Sequence, residues 1–461
     1  MTTTLVLHES LALKLNALAA ESLETAGVLL VSILTTDDKQ IRLLGREFHP
    51  VPESEYIRRE HYEMIIKSQG YVPALARAEE LGATAIWVHS HPGIGSSPLP
   101  SSHDQVVDEQ LADLFRLRSG SDFYGALIVS PTESGLAFTG HISPIEKENI
   151  SIDRLWQVGD RLRLSYSNNF GIREPLDMFD RSVRAFGPAV QTALNDFKVG
   201  IVGCGGTGSA IAEQLVRLGV RNFVLIDPDI LSESNTTRVY GSYPNQVGRP
   251  KVEVANENIL RIAPNSKCEV IQSTLNVSKT AKKLTNCDIV FGCTDDNAGR
   301  LVLSRLPTYI LTPVIDCGVL LSSDEEGILV GIDGRVTVIS PGQACLLCRG
   351  RIDIARAASE LMMPEEQKRL ASEGYAPALG KIEPAVITFT TLVAATAVNE
   401  LLERLIGFGP LPRPSEVLLR IHDREVSTNV ATPRVGHYCS EASGKLGRGM
   451  TEPFLEIAWS T

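Results

Sequence analysis

The 461 residues carry a net charge of −11, with 43% hydrophobic and 21% charged side chains. That balance describes a water-soluble globular protein too long for one ordinary core. The acidic excess argues against a nucleic-acid partner, which needs clustered Lys and Arg.

The chain opens with an amphipathic pattern at 9–24 (ESLALKLNALAAESLE), read as a helix, followed by an apolar strand at 27–34. Nothing before it resembles a secretion signal, since no basic region precedes a long apolar core. A second helix is expected near 72–82, then a strand at 84–93 (TAIWVHSHPG), a helix at 104–117 and a strand at 123–130. Residues 1–145 therefore read as one α/β domain. Residues 146–185 are polar and irregular at first and read as a connection with an entry helix, the helical pattern running over 179–197. From 186 to 461 a second domain begins with strictly alternating elements: strand 198–203, helix 207–219, strand 222–227, helix 250–262 and strands near 268–273 and 287–293. Alternation of this kind implies parallel βαβ units and a doubly wound sheet. The longest apolar run, 385–402, is broken by Thr and Asn and ends in acidic residues, so no membrane span is expected. Eight cysteines, several inside strand-like runs, point to a reducing, cytoplasmic setting.

Two motifs carry chemistry. The first is HSHPGIGSSPLPSSHD at 89–104. His89 and His91, two apart on a strand, project to one face and can reach one metal ion, and Asp104 at the next helix start supplies a third ligand. Three protein ligands and an open position are the layout of a catalytic zinc. Hydrolysis also needs a base, for which Glu24 is the candidate. A bare His pair could equally serve as a strand-end hydrogen-bonding feature. The set of ExxGxL, HxHP and SxxD over residues 1–145 resembles the JAMM motif of the JAB/MPN metallopeptidases. That resemblance implies Glu24 as acid and base, His89, His91 and Asp104 as zinc ligands, and Ser101 as a stabiliser of the tetrahedral oxyanion. It also implies cleavage after the C-terminal glycine of a ubiquitin-like protein. The spacer before Asp104 is longer than the family's, so the 93–101 loop is expected to bulge; His103 is read as solvent-facing.

The second motif is GCGGTG at 203–208, between a strand and a helix. Gly203, Gly205, Gly206 and Gly208 let backbone approach a phosphate at the positive end of the helix. Asp227 comes next, at ribose-binding distance along the chain. Alone, this pattern suits a nicotinamide dehydrogenase as well. The polar residues C-terminal to it suit carboxylate adenylation: Asn235, Arg238 and Lys251 to orient a triphosphate, and Asp295 to hold magnesium. Residues 180–430 resemble the ubiquitin-activating enzymes of the ThiF, MoeB and HesA type. By that resemblance Asp227 binds the ribose with help from Asp229, Asn235, Arg238 and Lys251 face the phosphates, and Asp295 or its neighbour Asp296 holds Mg2+. Arg181, in RSVRAFG, becomes an arginine finger supplied across a homodimer.

Cys345 and Cys348 form a CxxC, and His437 with Cys439 offers a second half, so a structural zinc is expected in the second domain; Tyr438 reads as packing. The stretch at 349–386, where many activating enzymes carry a thioester cysteine, contains none. Cys204, Cys268, Cys287, Cys293 and Cys317 sit in the nucleotide loop or in and beside strands, which favours packing, and Ser359 or Ser372 could at most carry an ester. Together the resemblances imply a bifunctional enzyme using ATP, Mg2+ and Zn2+. It would trim and then adenylate a small β-grasp protein with a Gly-rich end, handing it to an E2-like protein or a sulfur donor. Processing of a sulfur carrier for thiocarboxylate formation is the alternative.

Overall fold

The computed structural model describes residues 2–61, 63–93, 98–133, 135–167, 176–324, 326, 329–362 and 385–459. By contact, the chain divides into a first unit of residues 1–172 with 309–311 and 444–450, and a second unit of the remainder.

The first unit runs β1 (Thr3–His8), α1 (Glu9–Ala19), β2 (Ala26–Thr35), β3 (Ile41–Pro50), a hairpin of β4 (Tyr56–Arg59) and β5 (Met64–Ile66), and α2 (Val72–Leu81). It continues with β6 (Thr84–Ser90), α3 (Ser102–Ser119), β7 (Phe123–Thr132), β8 (Gly135–Pro144), β9 (Ile150–Ser151), β10 (Arg154–Val158) and β11 (Leu162–Tyr166). Nine strands form one mixed sheet in the order β11-β10-β1-β3-β2-β6-β7-β8-β9. Its two faces bury separate cores. Leu11, Leu15 and Leu18 of α1 pack with Leu29, Val31, Ile86 and Val88. On the other face Leu75 and Ala78 of α2 and Phe115 of α3 pack with Val28, Leu30, Ala85 and Trp87. Strand alternation thus fixes the direction of the β6 side chains: Trp87 points toward α2 and α3, and so does His89 two residues later.

Two expectations are corrected by this sheet and its loops. The polar stretch after 145 is not a connection throughout, because β10 pairs in parallel with β1, and β11 closes the edge against β10. The first unit accordingly extends to residue 172. The first helix ends at Ala19 rather than reaching Glu24. The N–H groups of Glu24, Thr25 and Ala26 are instead taken by the Glu60 carbonyl, the Ser90 hydroxyl and the Tyr56 hydroxyl. Tertiary partners there outcompete a helical pattern.

The second unit begins with α4 (Asp180–Phe186) and α5 (Pro188–Asp196), where one helix was expected. Gly187 (φ 83°, ψ 160°) leaves helical space, and Pro188 restarts the next helix at its first turn. Then come β12 (Lys198–Val202), α6 (Gly206–Arg217), β13 (Asn222–Ile226), α7 (Lys251–Ile262), β14 (Lys267–Ile271), α8 (Ser278–Lys282), β15 (Ile289–Gly292) and α9 (Asn297–Tyr309). After these stand β16 (Val314–Ser323), β17 (Leu329–Ile339), α10 (Ile354–Glu360), α11 (Ile387–Ile406), β18 (Glu416–Arg420) and β19 (Glu425–Asn429). The sheet order is β14-β13-β12-β15-β16-β17-β18-β19. The strands from β14 to β16 are parallel, as expected; β17, β18 and β19 add an antiparallel extension. Chain order reverses between β12 and β15, which places a ligand crevice at their carboxyl ends. Among the described residues no helix is long and apolar enough to cross a membrane.

Candidate functional sites

The first site lies at the end of β6. His89 Nε2 is 3.2 Å from Asp104 Oδ1, and His91 Nε2 is 3.5 Å from Asp104 Oδ2. One donor atom from each of the three lies within 4.8 Å of the others. His89 Nδ1 is buried without a hydrogen-bond partner, and Nε2 faces only the Asp104 carboxylate. A buried imidazole so sparsely partnered is costly in water-excluded surroundings, and a metal ion would satisfy it. This N, N, O donor set fits zinc.

Asp104 is held at its place by the start of α3. The Ser101 hydroxyl accepts the Asp104 N–H at 3.2 Å, and Asp104 Oδ2 accepts the Ser101 N–H at 2.6 Å, a reciprocal cap. Burial pushes the Asp104 carboxyl up, but the facing His89 and His91 rings and the Ser101 N–H outweigh it and hold the group well below the ordinary carboxylate range. Ser101 is thus occupied in capping and keeps its hydroxyl proton to donate. Glu24 lines the same cavity of about 700 Å³. Burial raises its carboxyl, partly offset by His89 and His91, so its surroundings favour proton transfer. Arg59 donates to the Glu24 carbonyl at 3.1 Å and also reaches the Thr25 hydroxyl, fixing this loop. His103 is exposed and stands outside the ligand group, although it lines the cavity. Residues 94–97 of the expected bulge lie outside the described residues.

The second site is a cavity of about 830 Å³ over β12 and β15. Gly203, Gly205, Gly206 and Thr207 line it at the start of α6. Gly203 has φ +91°, and a Cβ there would fall 2.5 Å from the Cys293 carbonyl oxygen; a Cβ on Gly208 would run into the Gly203 carbonyl oxygen. Gly203 therefore permits the turn, whereas Gly208 lies outside the cavity lining and permits the helix to pack on the loop. Asp227 is buried, accepting the Cys204 N–H at 2.6 Å and the Asp229 N–H at 2.8 Å. Burial raises its carboxyl above the usual range despite Lys251 and those two donors. Lys251 Nζ is 2.7 Å from Asp229 Oδ2, and both line the cavity together with Arg238.

Asp295 and Asp296 divide their work. Asp296 accepts from the Thr294 hydroxyl and from the Gly299 N–H at 2.5 Å, capping α9. Asp295 is exposed in the cavity and carries no hydrogen bond or ion pair among the described residues. Besides Gly208, two expected residues are not brought into the cavity. Asn235 is buried beside it, its side-chain oxygen accepting the Ser232 N–H at 3.1 Å, and so shapes the 232–238 turn. Arg181 stands exposed on α4, away from the cavity lining. Arg300, Arg335 and Arg351 line the cavity unforeseen. Arg335 donates at 2.5 Å to Asp316, which is fully buried, and Arg351 at 2.9 Å to the buried Glu416. Arg300 stands on α9, Arg335 on β17 and Arg351 on the loop after it, where no sequence motif marks them.

The cysteine expectation is brought together in space. His437 Nδ1 lies 3.6 Å from Cys345 Sγ, 3.4 Å from Cys348 Sγ and 3.1 Å from Cys439 Sγ, and Cys348 and Cys439 sulfurs are 3.7 Å apart. Three sulfurs and one imidazole at that spacing fit a closed structural zinc. Tyr438 is turned to Ser304, its hydroxyl 3.3 Å from that of Ser304, a packing role. Ser359 is buried on α10, and Ser372 lies outside the described residues.

Residues 179–439 match the model of the ThiF family. The chain belongs to the ThiF family. Within the ThiF relatives, molybdopterin-synthase adenylyltransferase of Escherichia coli (strain K12) is 31% identical over 172 residues, covering 37% of this chain and 65% of that protein. Ubiquitin-like modifier-activating enzyme 5 of Xenopus laevis is 28% identical over 229 residues, covering 47% of this chain and 52% of that one. The chain thus spans less than two thirds of the length of these relatives. A solved structure of E. coli MccB with ATP has 18% identity and a TM-score of 0.45, covering 58% of this chain and 75% of that one.

Proposed function

We propose that the second unit is an ATP-dependent adenylyltransferase acting on the C-terminal carboxylate of a ubiquitin-like protein. The observation that carries this reading is the convergence on one cavity of the glycine loop, Asp227, Arg238, Lys251 and Asp295. Asp227 takes the ribose hydroxyls, and the α6 N-terminus takes phosphate. Lys251, released from Asp229, and Arg238 neutralise the triphosphate while a carboxylate oxygen attacks the α-phosphorus and pyrophosphate leaves. Magnesium held by Asp295 supplies further charge neutralisation. Asn235 orders the turn that presents Arg238, and Arg181 acts across a homodimer as the finger. The absence of cysteine from 349–386 favours direct transfer of the adenylate to an external acceptor, an E2-like protein or a sulfur donor. A sulfur-carrier protein as the substrate is the second reading, favoured by the likeness to molybdopterin-synthase adenylyltransferase.

The first unit is read as a JAMM-type zinc peptidase that frees the same partner's terminal glycine. The convergence of the buried His89 ring, His91 and Asp104 on one point supports it. Bound zinc supplies Lewis-acid activation of water and carbonyl. The Glu24 carboxylate takes a proton from the attacking water and returns it to the leaving amine, and the Ser101 hydroxyl donates to the developing oxyanion. Intact-mass spectrometry tests both halves: a tailed Gly-Gly partner is mixed with the full chain, zinc, ATP and magnesium. Loss of the tail followed by gain of one AMP is expected; a trimmed partner that never gains AMP overturns the adenylation reading.

A further inference from the structure

The first unit's cavity has a marked charge. Glu24, Asp104, Asp108 and Glu109 line it, and no lysine or arginine is among the described lining residues. Arg116, on the same helix, donates to the Ser143 carbonyl at 2.9 Å and is not part of the lining. A cavity of this kind repels an acidic chain and favours a basic one.

Asp108 is the carboxylate best placed to read a side chain. It lies one turn beyond Asp104 on α3, about 6 Å along the axis and on the same face. An extended peptide advances about 3.3–3.6 Å per residue, so Asp108 stands within two residues of a bond held at Asp104. Its Oδ1 accepts the hydroxyl of the buried Tyr124 at 2.7 Å, which fixes the carboxylate's orientation. Burial and then the charge of Asp108 push the Tyr124 phenol far up, so it stays a donor. Asp108 Oδ2 faces His141 Nε2 at 3.1 Å. The Thr139 hydroxyl, beside His141 on β8 and in the cavity, is buried without a hydrogen-bond partner. A ligand cation that reaches Asp108 also meets this hydroxyl oxygen as an acceptor.

We propose that this cavity selects substrates carrying a lysine or arginine side chain within two residues of the cleaved bond, the cation seating on Asp108 beside His141 and Thr139. The inference rests on the peptidase reading for which bond is cut.

The test uses the zinc-loaded full chain and pairs of synthetic Gly-Gly peptides that differ by lysine against norleucine at each of the two positions following the bond. At one position the lysine peptide is expected to show about tenfold higher kcat/KM, the size of a partly buried ion pair. Calorimetry with the Glu24→Gln chain is expected to show a matching preference in binding. In Asp108→Asn, which can still accept from Tyr124, both ratios fall to near one while zinc content is unchanged. Equal cleavage and equal binding of every pair overturns the charge selection and leaves the peptidase reading standing. If no peptide is cleaved yet Glu24→Gln still prefers lysine, the peptidase reading falls and the selection stands.

Discussion

The cavity at the end of β6 is lined by four carboxylates and three imidazoles, Glu24, Asp104, Asp108 and Glu109 with His89, His103 and His141. The cavity over β12 gathers Arg238, Lys251, Arg300, Arg335, Arg351 and Arg420 around five aspartates. The difference reflects the chemistry each would perform. A metal centre needs anionic and neutral donors and a proton acceptor, whereas a triphosphate needs cations with backbone N–H groups. The scaffolds differ as well. In the first unit the ligands come from one strand end and one capped helix, so local sequence almost completes the site. In the second the cavity is assembled from the ends of several strands, and its far wall comes from the antiparallel extension.

The comparison can be broken by separating the two chemistries. The largest expected effect is on the first site: Glu24→Gln lowers tail cleavage by about 10²–10⁴-fold, the usual loss of a general base. Mass spectrometry should show AMP transfer to a pre-trimmed partner persisting in that variant; its loss would tie the two cavities together. Next, Lys251→Ala or Asp295→Ala lowers ATP–pyrophosphate exchange by about 10²–10³-fold, the scale of removing one charge-stabilising group. Tail cleavage should be retained in both, and Asp296→Ala should lower thermal stability before it lowers exchange, because Asp296 caps α9. Cys345→Ser sharpens the contrast between catalytic and structural metal. It should cost bound zinc and lower the second unit's melting temperature by about 2–4 °C for each kcal/mol lost. A variant that keeps its zinc removes Cys345 from the ligand set. The smallest effect belongs to Ser101→Ala. Loss of the α3 cap should cost the first unit about 1 kcal/mol by calorimetry, with weaker zinc retention as Asp104 loses part of its anchor.

The sequence alone determined whatever is carried by short spacing on one element. His89 and His91 share a face because strand side chains alternate, and Asp104 falls at a helix start because the apolar period begins there, although the Ser101 cap is known only from the structure. GCGGTG marked a strand-to-helix turn at which any Cβ on Gly203 or Gly208 would meet backbone, and the parallel order of the βαβ units came from alternation. Tertiary structure decided the rest. Glu24 left its helical pattern because three consecutive N–H groups found partners in other elements. Residues 154–166 became sheet because β1 left a free edge for β10 to join, while Ile150–Ser151 paired with β8 at the other edge. Asn235 turned inward and Asp296 was spent on a helix cap, which left Arg238 and Asp295 in the cavity; those choices depend on which hydrogen bonds each loop can complete. Arg335 and Arg351 stayed invisible because their meaning lies in Asp316 and Glu416, 19 and 65 residues away along the chain. Asp108 gained its role only when α3 was laid across β7 and β8, bringing it against Tyr124 and His141.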